Sequence, residues 1–481
     1  MLIMKKSLFL IIALSVIVAL QSCKSNTTKQ KPKYVFYMIG DGFGVAQSQL
    51  AEEYLDAMAK DSAKCNLDIM NLPVLGMAAT YSANSFITCS SAAGTALSTG
   101  FKTKNNMLGI LPDSTTNVTS IAKKFHDDGY NVGIVATVTL DHATPAAFYA
   151  HVINRNMYKE ISYQLKDVEY EYFGGAGLRG YKYDKGIYDT LRNHGFKVSS
   201  NIDEINGHKL SDGKLFAFNK AAENRPNDIP YCIDSKDDKM HLPFFVKKGI
   251  DLFENDDKGF FMMIEGSQID YACHDNDPAA ELWEVIDFNE AYKLVYDFYQ
   301  RHPDETLIVI TADHETGGLT IGQSSQGYAC YPELLQYQTM SGEKFNKKIN
   351  QMVEAGEKPK LDEIYAMLKT DFGFNNDNPK MQLNEDDSVR IEYFYNKTFN
   401  DKKVSLKMEI LKNKMFNTDT RDIVNLGDVC KRIMSEKAGI GWTTSAHTGS
   451  GVPVRALGVG QEKFGGYYNN TDLPNKIYGM K

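Results

Sequence analysis

The chain has 481 residues, 43% of them hydrophobic, with 61 acidic side chains against 53 Lys and Arg, a formal net charge of −8 and a pI near 5.8. That balance argues against nucleic acid as a specific partner, since a phosphate backbone is gripped by excess positive charge. An acidic chain that handles anionic substrates must concentrate positive charge locally, and bound metal ions do that.

Taken in chain order, residues 1–22 read as a lipoprotein signal peptide. Lys5-Lys6 is the basic start, Ser7 to Leu20 is almost wholly apolar, and Leu20-Gln21-Ser22-Cys23 resembles a bacterial lipobox. The apolar run falls short of the ~20 residues that a membrane span needs. Lipid on Cys23, with a polar tether over 23–33, is therefore expected to anchor an exported protein to a membrane face, in the periplasm or at the cell surface. Removing the first 22 residues leaves 481 − 22 = 459, enough for one large α/β domain or two smaller ones. Export permits disulfides, but no spacing among Cys65, Cys89, Cys232, Cys273, Cys330 and Cys430 identifies a pair. Cys89 and Cys273 fall among the candidate site residues and are expected to be free.

Tyr34 to Ile39 (YVFYMI) predicts a strand that ends in the turn Gly40-Asp41-Gly42. Val118 to Asp128 reads as a helix, and Asn131 to Leu140 as a β-branched strand. Gly259 to Ile264 and Thr306 to Ile310 repeat the pattern, each apolar run delivering its polar residue at the C-terminal end. Near-continuous apolar strands alternating with amphipathic helices predict an α/β fold: a three-layer α/β/α sandwich around a mostly parallel central sheet. Ligands of such sheets sit beyond the carboxyl ends of the strands. Pro278 to Gln300 carries Leu282, Val285, Ile286, Ala291, Leu294, Val295 and Phe298 at helical spacing, a core stripe. Gln164 to Asp234 and Tyr328 to Glu436 break the alternation and read as insertions forming a crown or lid.

Metal-type side chains gather behind the later strands: Glu265, Asp270 and His274 in one segment, then Asp313-His314, then His447. Zinc takes imidazoles and carboxylates, and magnesium takes oxygen donors. Asp270 and His274, four apart, can share one helix or turn face. Ser90, within Thr88-Cys-Ser-Ser-Ala-Ala-Gly-Thr-Ala96, suits a strand-to-helix turn where a hydroxyl meets a helix N-terminus. Alone it reads first as an N-cap serine, and Ser91 is an alternative hydroxyl. Singly, an Asp-His pair is a common surface or core contact, Glu265 fits a helix cap and Arg155 a solvated charge. His151 is assigned to structure.

In combination these segments resemble the alkaline phosphatases. Ile87 to Asn105 is similar to the family's nucleophile segment. Asp41-Gly-Phe-Gly precedes it, and His142-Ala-Thr144-Pro, His151 to Arg155, Glu265 to His274, Thr311 to His314 and His447-Thr-Gly follow in the family's order. The resemblance implies a catalytic domain over 34–481 that hydrolyses phosphate monoesters through a phosphoserine on Ser90. It further implies one zinc held by Asp270, His274 and His447, and a second by Asp41, Asp313 and His314 with the Ser90 oxygen. A third metal, magnesium, would sit on Asp41, Thr144 and Glu265, and Arg155 would grip the phosphate. His142 replaces the aspartate that the best-known bacterial pattern has in the outer shell of the third metal, as in animal members. Cys89 replaces an aspartate before the nucleophile, and Tyr271 stands where lysine, histidine or tryptophan is usual. Small-molecule phosphate monoesters are the expected partners, and a homodimer is the assembly to look for.

Three other readings compete. A phosphodiesterase of the same superfamily needs only two zincs, and Thr144, Glu265 and Arg155 favour the monoesterase. A sulfatase would need a Cys-x-Pro-x-Arg context that Cys89 lacks. A non-catalytic surface lipoprotein would be expected to have lost ligands, and none is missing.

Overall fold

The computed structural model describes residues 31–59, 67–224, 228–324, 326–400 and 425–479. The signal peptide, Cys23, most of the tether and Cys65 lie outside the described residues.

The strands are β1 Tyr34–Gly40, β2 Val74–Ala79, β3 Asn131–Ala136, β4 Tyr172–Gly175, β5 Phe196–Ser199, β6 Lys214–Phe218 and β7 Phe260–Gly266. β8 Thr306–Ala312, β9 Glu315–Thr316, β10 Thr320–Ile321, β11 Ile440–Gly441, β12 His447–Thr448, β13 Val452–Gly458 and β14 Gly466–Asn469 complete the set. Ten of them join in one sheet of order β14-β2-β13-β8-β1-β7-β3-β4-β6-β5. From β8 to β5 every pairing is parallel; only β13 runs against its neighbours. β1, β7 and β8 are buried at every residue, as strands covered on both faces must be.

Helices α1 Val45–Met58, α2 Ser90–Thr99, α3 Ile121–Asp127, α4 Ala143–Ala146, α5 Leu242–Phe253, α6 Gln268–His274 and α7 Pro278–Arg301 pack around this sheet. Along α7, Leu282, Val285, Ala291, Val295 and Phe298 are buried, joined by Phe288 and Tyr292. Ile286 and Leu294 are half-buried at the edge of the stripe. No helix among the described residues is long and apolar enough to cross a membrane. Cys89, Cys232, Cys273, Cys330 and Cys430 are all free thiols.

One expectation needs correction. Residues 164–234 are not an insertion over the site mouth: they supply β4, β5 and β6, the parallel edge of the main sheet. These strands are four or five residues long and contain Gly174-Gly175, Lys197 and Lys214. Their apolar runs are too short to stand out, and the neighbouring strands supply the burial. Within 328–436, helices Gly342–Glu354, Leu361–Phe372, Glu385–Phe399 and Leu426–Ala438 do form an added unit, and it packs beside α1 and α7. Asp277, the N-cap of α7, ties the two parts together. Its carboxylate accepts from Ala280 N at 3.2 Å, Gln338 Nε2 at 2.8 Å and Gly342 N at 2.7 Å.

The turn after β1 depends on a glycine. Gly42 has φ +73°, and a Cβ there would lie 2.8 Å from Asp270 Cα. A left-handed non-glycine residue costs about 1–3 kcal/mol before any clash is counted. Gly42→Ala is therefore expected to destabilise the protein by at least that amount, read as a lowered denaturant midpoint at unchanged slope. An unaltered midpoint would contradict this account of the turn.

Candidate metal centre

Four neighbouring strands, β8, β1, β7 and β3, point their carboxyl ends at one spot. In register, Gly40 lies opposite both Gly266 and Ala312. Asp41 and Asp313 therefore leave the sheet at the same level, with Glu265 one residue below. The chain beyond β3 reaches α4, a single turn that carries Thr144. His447 comes from β12, just ahead of β13. Because β13 is antiparallel, its start lies at the same end as the finish of β8.

α6 places Asp270 and His274 one turn apart on one face, as their spacing predicts. His274 Nε2 lies 3.3 Å from Asp270 Oδ2 and 3.1 Å from His447 Nε2. His274 Nδ1 is 2.6 Å from the Ser445 carbonyl and His447 Nδ1 is 2.8 Å from that of Thr88. An Nδ1–H donated to a backbone carbonyl leaves Nε2 with a free lone pair, the state in which imidazole binds a metal. His314 stacks on His447 with ring centroids 3.5 Å apart. Its Nε2 sits 3.1 Å from Asp313 Oδ2 and 3.4 Å from Asp41 Oδ1. The donor atoms of Asp270, His314 and His447, and those of Asp41, Asp313 and His314, each lie within 4.8 Å of one another.

The third set is defined by what it lacks. Thr144 Oγ1, Asp41 Oδ1 and both Glu265 carboxylate oxygens are buried and make no hydrogen bond, and neither does Asp313 Oδ2. Buried oxygens without donors are costly, and oxygen donors are the ligands that a hard cation takes. Burial, followed by the charges of Asp313, Asp270 and Glu265, pushes the Asp41 carboxyl well above its usual range. Burial likewise pushes Glu265 up to about 8. For Asp270 burial acts upward too, but the neighbouring imidazoles of His274, His447 and His314 outweigh it and hold its carboxyl below the usual range. Burial pulls His274 down, yet Asp270 raises it to about 9; burial and the charge of His314 take His447 down to about 4. Four carboxylates share a water-poor cleft with three imidazoles, and the donor set fits divalent cations.

Ser90 opens α2, whose ten residues are all buried. Their small size lets the helix lie close to α4: a Cβ on Gly94 would be 3.2 Å from Ala147 Cβ and 3.3 Å from Thr144 Cα. Ser90 Oγ lies 3.3 Å from His314 Nε2, at the edge of the cluster. Ser91 Oγ instead lies 3.1 Å from Cys89 Sγ. Arg155 reaches the same cleft with its Nη2 3.0 Å from His142 Nε2, while its backbone N–H donates to Asn106 O at 2.7 Å. Burial, then the charge of Arg155, holds His142 well below its ordinary pKa, so the ring is neutral and accepts the guanidinium proton. Burial pushes the Cys89 thiol up, but the N–H of Asn106, the Ser91 hydroxyl and the charge of Arg155 leave it below the ordinary thiol value. Tyr271 Oη stands 3.4 Å from His142 Nε2.

Of the expected metal-type ligands, Asp41, Glu265, Asp270, His274, Asp313, His314 and His447 thus gather in one cleft with Ser90, Arg155 lies beside it, and Thr144 stands on α4 with its hydroxyl buried. His151, assigned to structure, places Nδ1 2.8 Å from Gly109 O. Thr316 was missed. Its hydroxyl donates to Asp270 Oδ1 at 2.5 Å and lies 3.2 Å from His314 Nδ1, linking the two ligand sets. Its position two residues after His314 in an extended segment was the available signal. The Ser445 and Thr88 carbonyls carried none.

A family model described as Alkaline phosphatase matches residues 32–173 and 180–480. Alkaline phosphatase 4 of Bacillus subtilis is 31% identical over 99% of this chain and 96% of its own length. The alkaline phosphatase of Schizosaccharomyces pombe is 28% identical over 98% of this chain and 85% of its own. The crystal structure of a cold-active alkaline phosphatase from Shewanella sp. superposes with a TM-score of 0.76 at 25% identity, covering 93% of this chain and 99% of that one. With the family's pattern running through nearly the whole sequence, the chain belongs to the alkaline phosphatase family.

Proposed function

We propose that the protein hydrolyses phosphate monoesters through a phosphoserine on Ser90, with two zinc ions and one magnesium ion held in the cleft. The observation that carries this reading is the set of unsatisfied buried oxygens on Asp41, Thr144, Glu265 and Asp313 beside Ser90. Asp270, His274 and His447 would hold one zinc, Asp41, Asp313 and His314 the other, and Asp41, Thr144 and Glu265 the magnesium. Bound there, such ions supply positive charge to the phosphoryl oxygens and lower the proton affinity of the oxygens they touch.

The chain's own groups account for the rest. Ser90 Oγ attacks phosphorus as the ester P–O bond breaks and the alcohol departs with a proton. Water then cleaves the phosphoserine and releases inorganic phosphate. The free N–H groups and positive dipole end of α2 favour negative charge at Ser90. Arg155 presents a planar fork to two phosphoryl oxygens, and neutral His142 orients that fork. Export, the lipid on Cys23, anchoring to a membrane in the periplasm or at the cell surface, and homodimer formation belong to the same proposal. The lipobox-like Leu20-Gln21-Ser22-Cys23 and the family resemblance support them.

Ser90→Ala is expected to abolish the covalent phosphoenzyme while metal content stays near normal; trapped phosphate on Ser91 or Cys89 would overturn the assignment. Chelation should eliminate monoesterase activity, and zinc plus magnesium should restore it, whereas full activity in metal-free protein would sink the reading. Monoesters should be preferred to diesters by several powers of ten in kcat/KM, each tenfold being about 1.4 kcal/mol of differential transition-state binding. Glu265→Ala should injure monoester hydrolysis far more than diester hydrolysis. Equal losses would remove the third site from specificity, and a wild-type preference for diesters would favour the phosphodiesterase.

A further inference from the structure

A second group of metal-type side chains lies outside the catalytic cleft. Cys232 begins a short turn, His241 stands just ahead of α5, and Glu284 and Asp287 sit three apart on one face of α7. The donor atoms of Cys232, His241 and Asp287 lie within 4.8 Å of one another. Cys232 Sγ is 3.4 Å from His241 Nδ1. His241 Nε2 lies 3.1 Å from the Ser235 hydroxyl, which itself donates to Tyr231 O, and 3.3 Å from the Ser235 carbonyl; a proton held on Nε2 leaves Nδ1 with its lone pair facing the thiol. This is the tautomer and outer partner that a metal-ligating imidazole adopts. Glu284 Oε1 accepts from Cys232 N at 2.7 Å and Asp287 Oδ2 from Leu242 N at 3.3 Å, which brings both carboxylates to the two ends of the loop. Neither carboxylate has a lysine or arginine ion pair among the described residues.

We propose that Cys232, His241 and Asp287, with Glu284 as fourth donor, form a structural zinc site separate from the catalytic centre. Thiolate and imidazole together select a borderline-soft ion such as zinc over calcium or magnesium, which take oxygen alone. Two ligands on the rigid α7 and two on the loop ends give one closed set, with no position needed for substrate. Loading releases the Cys232 thiol proton to solvent and leaves the redox state unchanged.

The site has a mechanical consequence. Just ahead of Cys232 the loop runs over the ends of β3 and β7. Ile229 N donates to Thr137 O at 2.9 Å, and Gln268 Nε2 donates to Ile229 O. The Thr137 hydroxyl in turn accepts from Ser267 N at 2.9 Å, two residues beyond Glu265. Zinc at Cys232 would pin this loop to α7 and thereby brace the strand ends beneath the catalytic cleft.

The test is the zinc content of purified holoenzyme, with monoesterase activity measured on the same samples. Wild type is expected to hold one zinc per chain more than Cys232→Ser, and His241→Gln should lose the same equivalent. Equal zinc content in wild type and either folded variant would overturn the proposal. Should both variants fail to fold, cobalt-loaded wild type decides: a thiolate-to-cobalt charge-transfer band lost on alkylation of Cys232 supports the site, and its absence overturns it. These readouts compare the chain with itself, so they stand whether or not the catalytic assignment does.

Discussion

Mutual repulsion among Asp41, Glu265, Asp270 and Asp313 is the constraint on which the rest of this structure depends. All four carboxylates are buried at the carboxyl edge of the sheet, and two of them are pushed far above their normal pKa. Burying even one unpaired charge is expensive, and among the described residues imidazoles and Arg155 face the group. No fold selected for stability alone would assemble it. The arrangement is tolerable because divalent cations can take the place of the missing counter-charge, which makes metal occupancy and native geometry mutually dependent.

The sheet answers the problem by separating rigidity from chemistry. β1, β7 and β8 are largely apolar until their last residues, so the energy of burial is secured along the strands and most of the polar cost falls at their ends. The antiparallel β13 has a specific use. Running against β8, it carries the chain away from the carboxyl edge and allows His447, ahead of it, to complete the cluster. A parallel strand in that place would have begun at the opposite end of the sheet.

Arg155 is positioned by neutral groups. Just before Ser90 stands Cys89, whose sulfur takes the Asn106 N–H at 3.1 Å. Arg155 is held by its own backbone and by neutral His142. A neutral ring can accept the guanidinium proton without adding a further negative charge to the cleft.

The sequence by itself determined the sandwich, the central parallel strands and the carboxylates and imidazoles that meet at their ends. Long apolar runs and ordered motifs are local, and local patterns survive in one dimension. It did not reveal β4 to β6: four- and five-residue strands owe their burial to neighbours, and Gly174-Gly175 and Lys214 disguise them. Nor did it reveal Thr316 bridging Asp270 to His314, or the Ser445 and Thr88 carbonyls that set the imidazole tautomers. Backbone groups have no residue identity to read. Only the tertiary structure decided that Cys232 and His241 meet Glu284 and Asp287, because that encounter joins segments more than forty residues apart through the packing of a loop on α7.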